Sequence, residues 1–450
     1  MSSFPPNRAT TLKAAFRACY VGPLSGEEIK RYYVDLSAVR RTEAIEGVNR
    51  QLNFLESGEF ETILFTGHRG CGKSTELRRI QKQWESDYLV IYSEVDLEAD
   101  IQTLSYIDLY LIIIKQVEYE LRKKGLKFDS KLVKDFEDWF KEVTKETEEK
   151  VERSVSATGS LEVSSGPVPF IAKLMVKLLA QIKGSQTDKQ TIRQTLERDL
   201  SRLQTNVNEL LVDGLEKLQS KFPNYKGFLI IFDNMDRLTP DVANTLFFDN
   251  ALQLQQIKAT IIYTVPISVI YSVKNLSNDF LDSPNIMPMV NIYQFNREAI
   301  DLEYDPEGLA AVASIIEQRV DIEAVFEDRE PLLQLAQNSG GHVRQLMQIM
   351  RNACLTASTR EHPKITVEDV TYATKQEQFN FERSIRKTHY PVLARVCVDK
   401  EITEDEIGQL ALSNISILEY NGNQRWNYVN PLVKPIRLFQ DALKIILEES

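Results

Sequence analysis

Cysteine is scarce in this 450-residue chain: Cys19, Cys71, Cys354 and Cys397 are the full set, and they lie far apart. So scattered a set makes neither a disulfide framework nor a metal-ligating cluster, and a reducing cytoplasm is the expected compartment. Long apolar runs are missing too. Nothing approaches the roughly 18 consecutive apolar residues of a membrane-spanning helix. The opening MSSFPPNRATTLKAAF also lacks the apolar stretch of a signal peptide. Positive charge is short, with 54 Lys and Arg against 65 Asp and Glu and a formal net charge of −11. That balance works against general attraction to nucleic acid or to an anionic membrane, while leaving room for a local basic patch. At this length, a hydrophobic fraction of 43% predicts two or three globular domains rather than one core.

What the chain does contain is concentrated in one stretch, Thr62 to Arg79, reading TILFTGHRGCGKSTELRR. Ile63, Leu64 and Phe65 predict a short buried strand, and a helical pattern follows the octet from Gly67 to Ser74. This is the G-x-x-x-x-G-K-[ST] pattern in its strand, loop and helix setting, a P-loop. A triphosphate needs several N–H donors converging on it, and backbone can crowd that closely only where side chains are missing, at Gly67, Gly70 and Gly72. His68, Arg69, Cys71 and Thr75 complete the predicted cradle, and the N-terminus of the following helix adds partial positive charge. Lys73 is placed to reach the β- and γ-phosphates. The Ser74 hydroxyl would complete the shell of a Mg²⁺ ion otherwise held by phosphate oxygens and water.

Upstream, residues 1–30 read as a lead-in with a frayed start around Pro5 and Pro6. Tyr33, Val34 and Arg41 are candidates for contact with a nucleotide base or, equally, ordinary packing residues, and a helix is predicted from Thr42 to Glu56. Downstream, Tyr88 to Ser93 predicts a second buried strand and Thr103 to Lys123 an apolar helix, which implies a parallel sheet covered on both faces. Then the pattern changes. Asp129 to Arg153 reads as an amphipathic helix, Ser154 to Pro169 as a loop or weak hairpin, and Gln190 to Lys221 as a long helix. Phe170 to Lys183, apolar with three lysines, reads as a helix packed on the domain or on a partner subunit rather than on a membrane surface. Residues 125–222 thus form an insertion between two core strands.

The core resumes at Gly227 with five apolar residues ending in Asp233, followed by Asn234, Met235, Asp236 and Arg237. A buried strand of this kind delivers Asp233 to the sheet edge beside the P-loop, where it can bind a Mg²⁺-coordinating water. Hydrolysis also needs a group to orient the attacking water. In the commonest arrangement that is a Glu directly after the Asp, and here the position holds Asn234. Asp236 is the best replacement, with Asn234 holding the water or the γ-phosphate, and the departure predicts slow turnover. The strand from Ala259 to Val265 ends near Thr264, a candidate γ-phosphate sensor or a simple strand-end threonine. In the helical C-terminal third, Pro306 to Val320 and Glu330 to Asn338 precede Ser339-Gly340-Gly341-His342-Val343-Arg344, which opens a helix through Ala357. There Arg344 can swing onto a γ-phosphate and report its loss.

Together the P-loop, the DNMDR strand end, the strand-end threonine and the GGHVR helix resemble the AAA+/STAND branch of P-loop ATPases. DNMDRL is similar to the DDLDR of KAP- and NACHT-like signalling NTPases, and GGHVR to the second sensor of origin-recognition initiators. The resemblance covers residues 30–120 and 225–375. It implies ATP rather than GTP, a helical lid, and assembly into higher oligomers with an arginine finger from a neighbour, for which Arg237 is a candidate.

Residues 385–450 read as a small winged-helix domain, with helices at Tyr390 to Val398 and Glu404 to Leu412 and a hairpin from Ile417 to Val429 turning at Asn421-Gly422. The candidate reading helix carries Glu404, Asp405 and Glu406, and residues 391–450 hold nine acids against six Lys and Arg. Phosphate repulsion therefore favours a protein-contact or autoinhibitory role over DNA reading. The expected architecture is an α/β P-loop NTPase sheet with a helical insertion over residues 31–300, an α-helical lid over 301–384 and the winged helix over 385–450. The expected function is an ATP- and Mg²⁺-dependent regulatory switch that meets a second copy or a partner protein through the insertion and winged helix. A DNA-associated initiator or loader and a non-hydrolysing nucleotide-bound scaffold are the alternatives.

Overall fold

The computed structural model describes residues 8–140, 170–184 and 186–449. The helix expected from Asp129 is seen as far as residue 140, and its remainder, with Ser154 to Pro169, lies outside the described residues, as do Pro5 and Pro6.

Helices α1 (Leu12–Ala18) and α2 (Ala44–Phe54) lead into strand β1 (Thr62–Gly67), the P-loop and helix α3 (Lys73–Trp84). Strand β2 (Tyr88–Glu94) follows, then α4 (Tyr106–Lys123), opened by a capping box between Ser105 and Asp108. The insertion contributes α5 (Phe170–Gly184), α6 (Gln186–Glu197) and α7 (Leu200–Lys221). Thus the single helix expected over 190–221 is two, broken at Asp199, whose carboxylate accepts the Trp139 indole N–H at 3.0 Å. The chain returns through β3 (Gly227–Asp233), β4 (Thr260–Pro266) and a short β5 (Asn285–Met287).

These five strands form one parallel sheet in the order β2-β3-β4-β1-β5, so β1 and β3 lie on either side of β4. β3 and β4 are buried at every position, as central strands of a sheet covered on both faces must be. β5 has no counterpart in the sequence reading because Pro284 and Pro288 flank it; a three-residue edge strand paired only to β1 tolerates such neighbours. The sheet divides the molecule. Ile63, Phe65, Leu229, Ile231 and Ile262 point to one face and Leu64, Phe228, Ile230, Phe232 and Tyr263 to the other. Helix α4 and the insertion cover the second face, locked there by Asp108 with Arg193 and by Asp100 with Lys189 at 2.6 Å.

The first face carries the lid, the C-terminal module and the N-terminal segment, while residues 235–257 after β3 pack with the insertion on the second. A lid of α8 (Pro306–Glu317), α9 (Glu330–Asn338), α10 (Val343–Thr359) and α11 (Val367–Ser384) is followed by α12 (Tyr390–Asp399), α13 (Glu406–Ser413), the hairpin β6 (Ile417–Asn421) and β7 (Arg425–Val429), and α14 (Arg437–Glu449). All share one continuous apolar cluster with the P-loop side of the sheet. The N-terminal segment belongs to it as well: Ala9 bridges to Val320, and Arg351 donates to Phe16 O at 2.6 Å, so residues 8–18 are packed on the lid rather than forming a free lead-in. The hairpin turn also differs from expectation. Asn421 pairs with Arg425, which leaves a three-residue loop, and Gly422 N–H bonds Gln424 O at 2.9 Å in place of a two-residue Asn-Gly turn.

Candidate functional site

At the C-terminal edge of β1 the chain turns into α3 through Gly67, Gly70 and Gly72, with φ of 155°, 89° and 113°. At Gly70 the need for glycine is tertiary as well as local: a Cβ there would lie 2.9 Å from both Arg344 Cβ and the His342 ring. The lid is docked directly on the P-loop. Arg344 N–H donates to Gly70 O at 3.1 Å, and His342 Nε2 donates to Arg69 O at 2.8 Å while its Nδ1 accepts Gln345 N–H at 3.0 Å. That pair of roles requires a neutral imidazole, and burial pushes its pKa down to about 4.

Lys73 is only 3% exposed. Its Nζ donates to Gly67 O at 2.8 Å and His68 O at 2.9 Å, and pairs with Asp236 Oδ2 at 2.8 Å. Burial is the largest influence and alone would lower the lysine pKa and raise the carboxyl's, but the partner's charge and hydrogen bond, with other charges nearby, together outweigh it and hold Lys73 above and Asp236 below the usual values. Asp236, expected to orient a water, is therefore engaged by the lysine.

Asp233 ends β3 with both oxygens occupied, Oδ1 by Asn234 N–H at 2.7 Å and Oδ2 by the Tyr92 hydroxyl at 2.6 Å. Burial, then the Asp233 charge, pushes the Tyr92 hydroxyl pKa up, so it stays a donor. Asn234 adopts the left-handed region, φ 68°, and its Nδ2 donates to Asp96 Oδ1 at 2.8 Å; Asp96 also pairs with Arg237. Arg237, proposed from the resemblance as a finger for a neighbouring copy, thus meets an acid of its own chain and lines its own cavity. The Thr264 hydroxyl accepts Met235 N–H and donates to Phe232 O, both at 3.0 Å. It braces the turn after β3 and lines no part of the cavity.

That cavity, of about 120 Å³ and partly open to solvent, lies between the P-loop, the segment around Tyr33 and the lid. Its wall is rich in cations: Arg40, Arg69, Lys73, Arg237, Arg319 and Arg344 line it against only Glu76 and Asp236. Burial, and then neighbouring Arg69, pushes the Arg344 pKa down, the mark of cations crowded together. Apolar side chains line it as well, Val21, Val34, Leu36, Ile315 and Met347, with Tyr33. Tyr33 is held by Arg79, whose guanidinium stacks 3.9 Å over its ring. Cys71 and Ser74 line the wall, and Thr75 Oγ1 accepts Leu24 N–H at 3.1 Å.

Two expectations change. Arg41 turns away in a left-handed C-cap, φ 50°, and the preceding Arg40 reaches the site instead, donating to Cys71 O at 2.6 Å. The His68 ring leaves the cradle and is buried beneath β6, accepting Glu419 N–H on Nε2 at 2.8 Å; burial pushes its pKa down to about 3. Asp96, Tyr92 and Arg319 carry no sequence signal for the site, since their partners are far off in the chain.

The chemistry of this set suits a nucleoside triphosphate, cations for the phosphates and apolar side chains for the base. The Ser74 hydroxyl in the cavity wall suits a hard divalent ion such as Mg²⁺, whereas Asp233 is not among the cavity's lining residues and reaches it only through Asn234, the next residue. Among the described residues no helix is long and apolar enough to cross a membrane.

No family model and no curated protein matches the sequence. Among solved structures, the chain is similar to the ORC2 protein of Aeropyrum pernix in ADPNP and ADP complexes, at 12% identity and a TM-score of 0.39 over 97% of this chain and 98% of that one. It is also similar to Cdc6p from Pyrobaculum aerophilum (12%, 0.36, 97% and 98%). The Walker-type ATPase PABY2304 of Pyrococcus abyssi gives 12%, 0.41, 94% and 99%. Likeness this distant says nothing of what the chain acts on, and its α/β P-loop fold rests on its own hydrogen-bonded strand order.

Proposed function

We propose that this chain binds ATP with Mg²⁺ and hydrolyses it slowly, as an AAA+/STAND-type switch in which the bound nucleotide sets the position of the lid. The observation that carries the reading is the wall of six cations against two acids, with apolar side chains, in a chain whose net charge is −11. Free energy favours an anion there because cations outnumber acids around one space and several of them, Arg40, Lys73 and Arg319, are buried. Lys73 would turn its donors from Gly67 O and His68 O to phosphate oxygens while keeping Asp236, and Arg69 and Arg344 would bind the terminal phosphate from the P-loop and the lid. Gly67, Gly70, Cys71 and Gly72 supply the backbone cradle, and Tyr33 and Val34 the base contact. Ser74 would hold the Mg²⁺ ion directly and Asp233 one of its waters, and the ion when bound neutralises charge on the terminal phosphates. Arg344 stands on α10 above Gly70, so loss of the terminal phosphate would remove the phosphate bridge between lid and P-loop and leave only the direct bonds from Arg344 N–H to Gly70 O and from His342 to Arg69 O. The helical insertion and the C-terminal module, read as winged-helix-like, are the surfaces we assign to a partner protein or a second copy.

Phosphate release by the wild type, Lys73→Ala and Asp236→Asn, each with and without DNA, tests this. We expect slow release by the wild type and none by Lys73→Ala, with nucleotide binding lost in parallel. Normal turnover by Lys73→Ala would sink the reading. ATP binding without any release would leave the scaffold alternative.

One surface favours a second reading, association with nucleic acid. From residue 383 to 398 there is no acid, while Arg383, Arg386, Lys387 and Arg395 are exposed along the elbow between α11 and α12. Arg386, Lys387 and Arg395 have no ion-pair partner among the described residues. The test is salt-dependent binding of DNA that Arg386→Glu with Lys387→Glu abolishes.

A further inference from the structure

The position where a P-loop ATPase commonly places its water-orienting carboxylate holds Asn234, and neither nearby acid is free to replace it. Asp236 is paired with Lys73, and both oxygens of Asp233 accept hydrogen bonds from Asn234 N–H and Tyr92. Asn234 itself lines the cavity and is 9% exposed. An amide can do part of a carboxylate's work, but only one way round. Its oxygen can accept a hydrogen bond from a water, whereas its NH₂ group would meet the water's protons with protons of its own.

What decides the orientation lies on another strand. β2 pairs in register with β3, Glu94 opposite Asp233, and the one-turn helix Val95–Glu98 that follows β2 brings Asp96 beside the turn after β3. Asp96 offers acceptors only, so the group of Asn234 that faces it must be the NH₂, at 2.8 Å. Arg237 occupies the other Asp96 oxygen and keeps the carboxylate in place. The backbone of Asn234 is held at the same time by its N–H bond to Asp233 and its left-handed conformation. With the NH₂ committed to Asp96, Oδ1 is the end of the amide left over, and it has no hydrogen-bond partner among the described residues.

We infer that Asp96 is a positioning residue: by holding the NH₂ of Asn234 it turns the amide oxygen to the cavity, where that oxygen accepts a hydrogen bond from the water that attacks the terminal phosphate. The inference rests on the hydrolysis reading above. In the step itself a lone pair of the water oxygen forms the new bond to the terminal phosphorus. The bond from phosphorus to the bridging oxygen breaks, and its electron pair leaves on the nucleoside diphosphate. The water's proton passes to a phosphate oxygen, so that the triphosphate and water become diphosphate and inorganic phosphate. Asn234 takes no proton. It orients, which explains how the site can work with an amide where a base is usual and why turnover should be slow.

The experiment is a cycle of Asp96→Ala, Asn234→Asp and the double variant, with Asp96→Asn as the conservative substitution. Steady-state phosphate release gives kcat. Fluorescence titration gives affinity for a non-hydrolysed ATP analogue and for ADP with aluminium fluoride, which mimics the transferring phosphate with a water in line. Asp96→Ala is expected to lower kcat about tenfold and to weaken ADP–aluminium fluoride binding by a similar factor, with affinity for the ATP analogue unchanged. Asp96→Asn, which retains an acceptor, should recover most of both. In the Asn234→Asp background both ends of the side chain are oxygens, so Asp96→Ala should cost less than twofold.

A kcat for Asp96→Ala within twofold of wild type overturns the inference and leaves hydrolysis standing. Equal losses in both backgrounds, or a parallel loss of ATP-analogue affinity, make Asp96 a structural residue and overturn it too. Absence of phosphate release by the wild type overturns the hydrolysis reading, and this inference with it.

Discussion

The charged pair of Lys73 and Asp236 sits at the chemical centre of the site with almost no solvent to share its charge. Side-chain exposure is 3% for the lysine and 8% for the aspartate. Removing one member leaves the other ionised and buried, which costs about 3–5 kcal/mol. Lys73→Ala should therefore lower the urea midpoint of unfolding as well as abolish nucleotide binding. Adding Asp236→Asn to it removes the stranded charge, so the double variant is expected to regain much of the lost stability and none of the affinity. Recovery of both would mean that Lys73 has no direct part in binding. A second test at this scale concerns Gly70, where φ is 89° and a Cβ would meet His342 and Arg344 at 2.9 Å. Gly70→Ala should push α10 off the P-loop, weakening ATP affinity by about tenfold or more, since a strained backbone and a wedged lid both oppose closure. An isothermal titration that gives wild-type affinity would rule out the docked lid as the binding-competent form.

Helix α10 and strand β6 each meet the P-loop through a buried, neutral histidine. His342 bridges α10 to Arg69, and His68 bridges the P-loop to Glu419 of β6. Burial has pushed their pKa values to about 4 and about 3, below the ordinary 6.5. The unfolded chain takes up these protons first, so stability is whole above pH 6.5 and is lost as the pH falls from there toward 4. Each histidine should cost about 2 kcal/mol by pH 5, read from urea unfolding at pH 7 and pH 5. His342→Gln, which keeps a donor and an acceptor, should remove about half of that slope; an unchanged slope would place the proton uptake elsewhere. These contacts also mark the boundary of what was legible in the chain. β1 to β4 announced themselves as apolar runs, and the P-loop by its glycines and Lys73, because each is a local pattern of a few residues. The motif specifies the backbone of residues 67–74 but not where His68 points, and its ring went to β6 instead of the phosphate cradle. Asp96 and Asn234 are 138 positions apart and joined only by the register of β2 with β3, which no periodicity encodes. Short β5 between two prolines and the Arg40/Arg41 exchange were hidden for the same reason, since tertiary contact decided them.

Across the whole molecule, the sheet separates an insertion face from a face on which the lid and the C-terminal module form one continuous core. A module intended to swing freely would present a polar rim to the P-loop. Here the Tyr420 hydroxyl donates to Gly340 O at 2.6 Å, Asn430 Nδ2 donates to Gln345 at 3.1 Å, and Glu419 joins both His68 and Tyr271. Trp426, on β7 of that hairpin opposite Tyr420, is 2% exposed, stacked on Tyr420 at 4.7 Å and packed on Tyr293 and Phe295. Trp426→Ala would leave a cavity costing about 3–5 kcal/mol, and the strand it loosens is the one that anchors His68 and Gly340. ATP affinity should fall although no residue of the cavity has been touched. Leu210→Ala provides the comparison: Leu210 is 1% exposed in the core of the opposite face, and its loss should cost about 2–5 kcal/mol with nucleotide affinity unchanged. If both substitutions lower stability and only Trp426→Ala weakens binding, the C-terminal module is energetically part of the nucleotide site, and a partner that pulls on it will be felt at the P-loop. Equal effects on binding would reduce the coupling to general destabilisation, and no effect from Trp426→Ala would make the module a passenger on the lid.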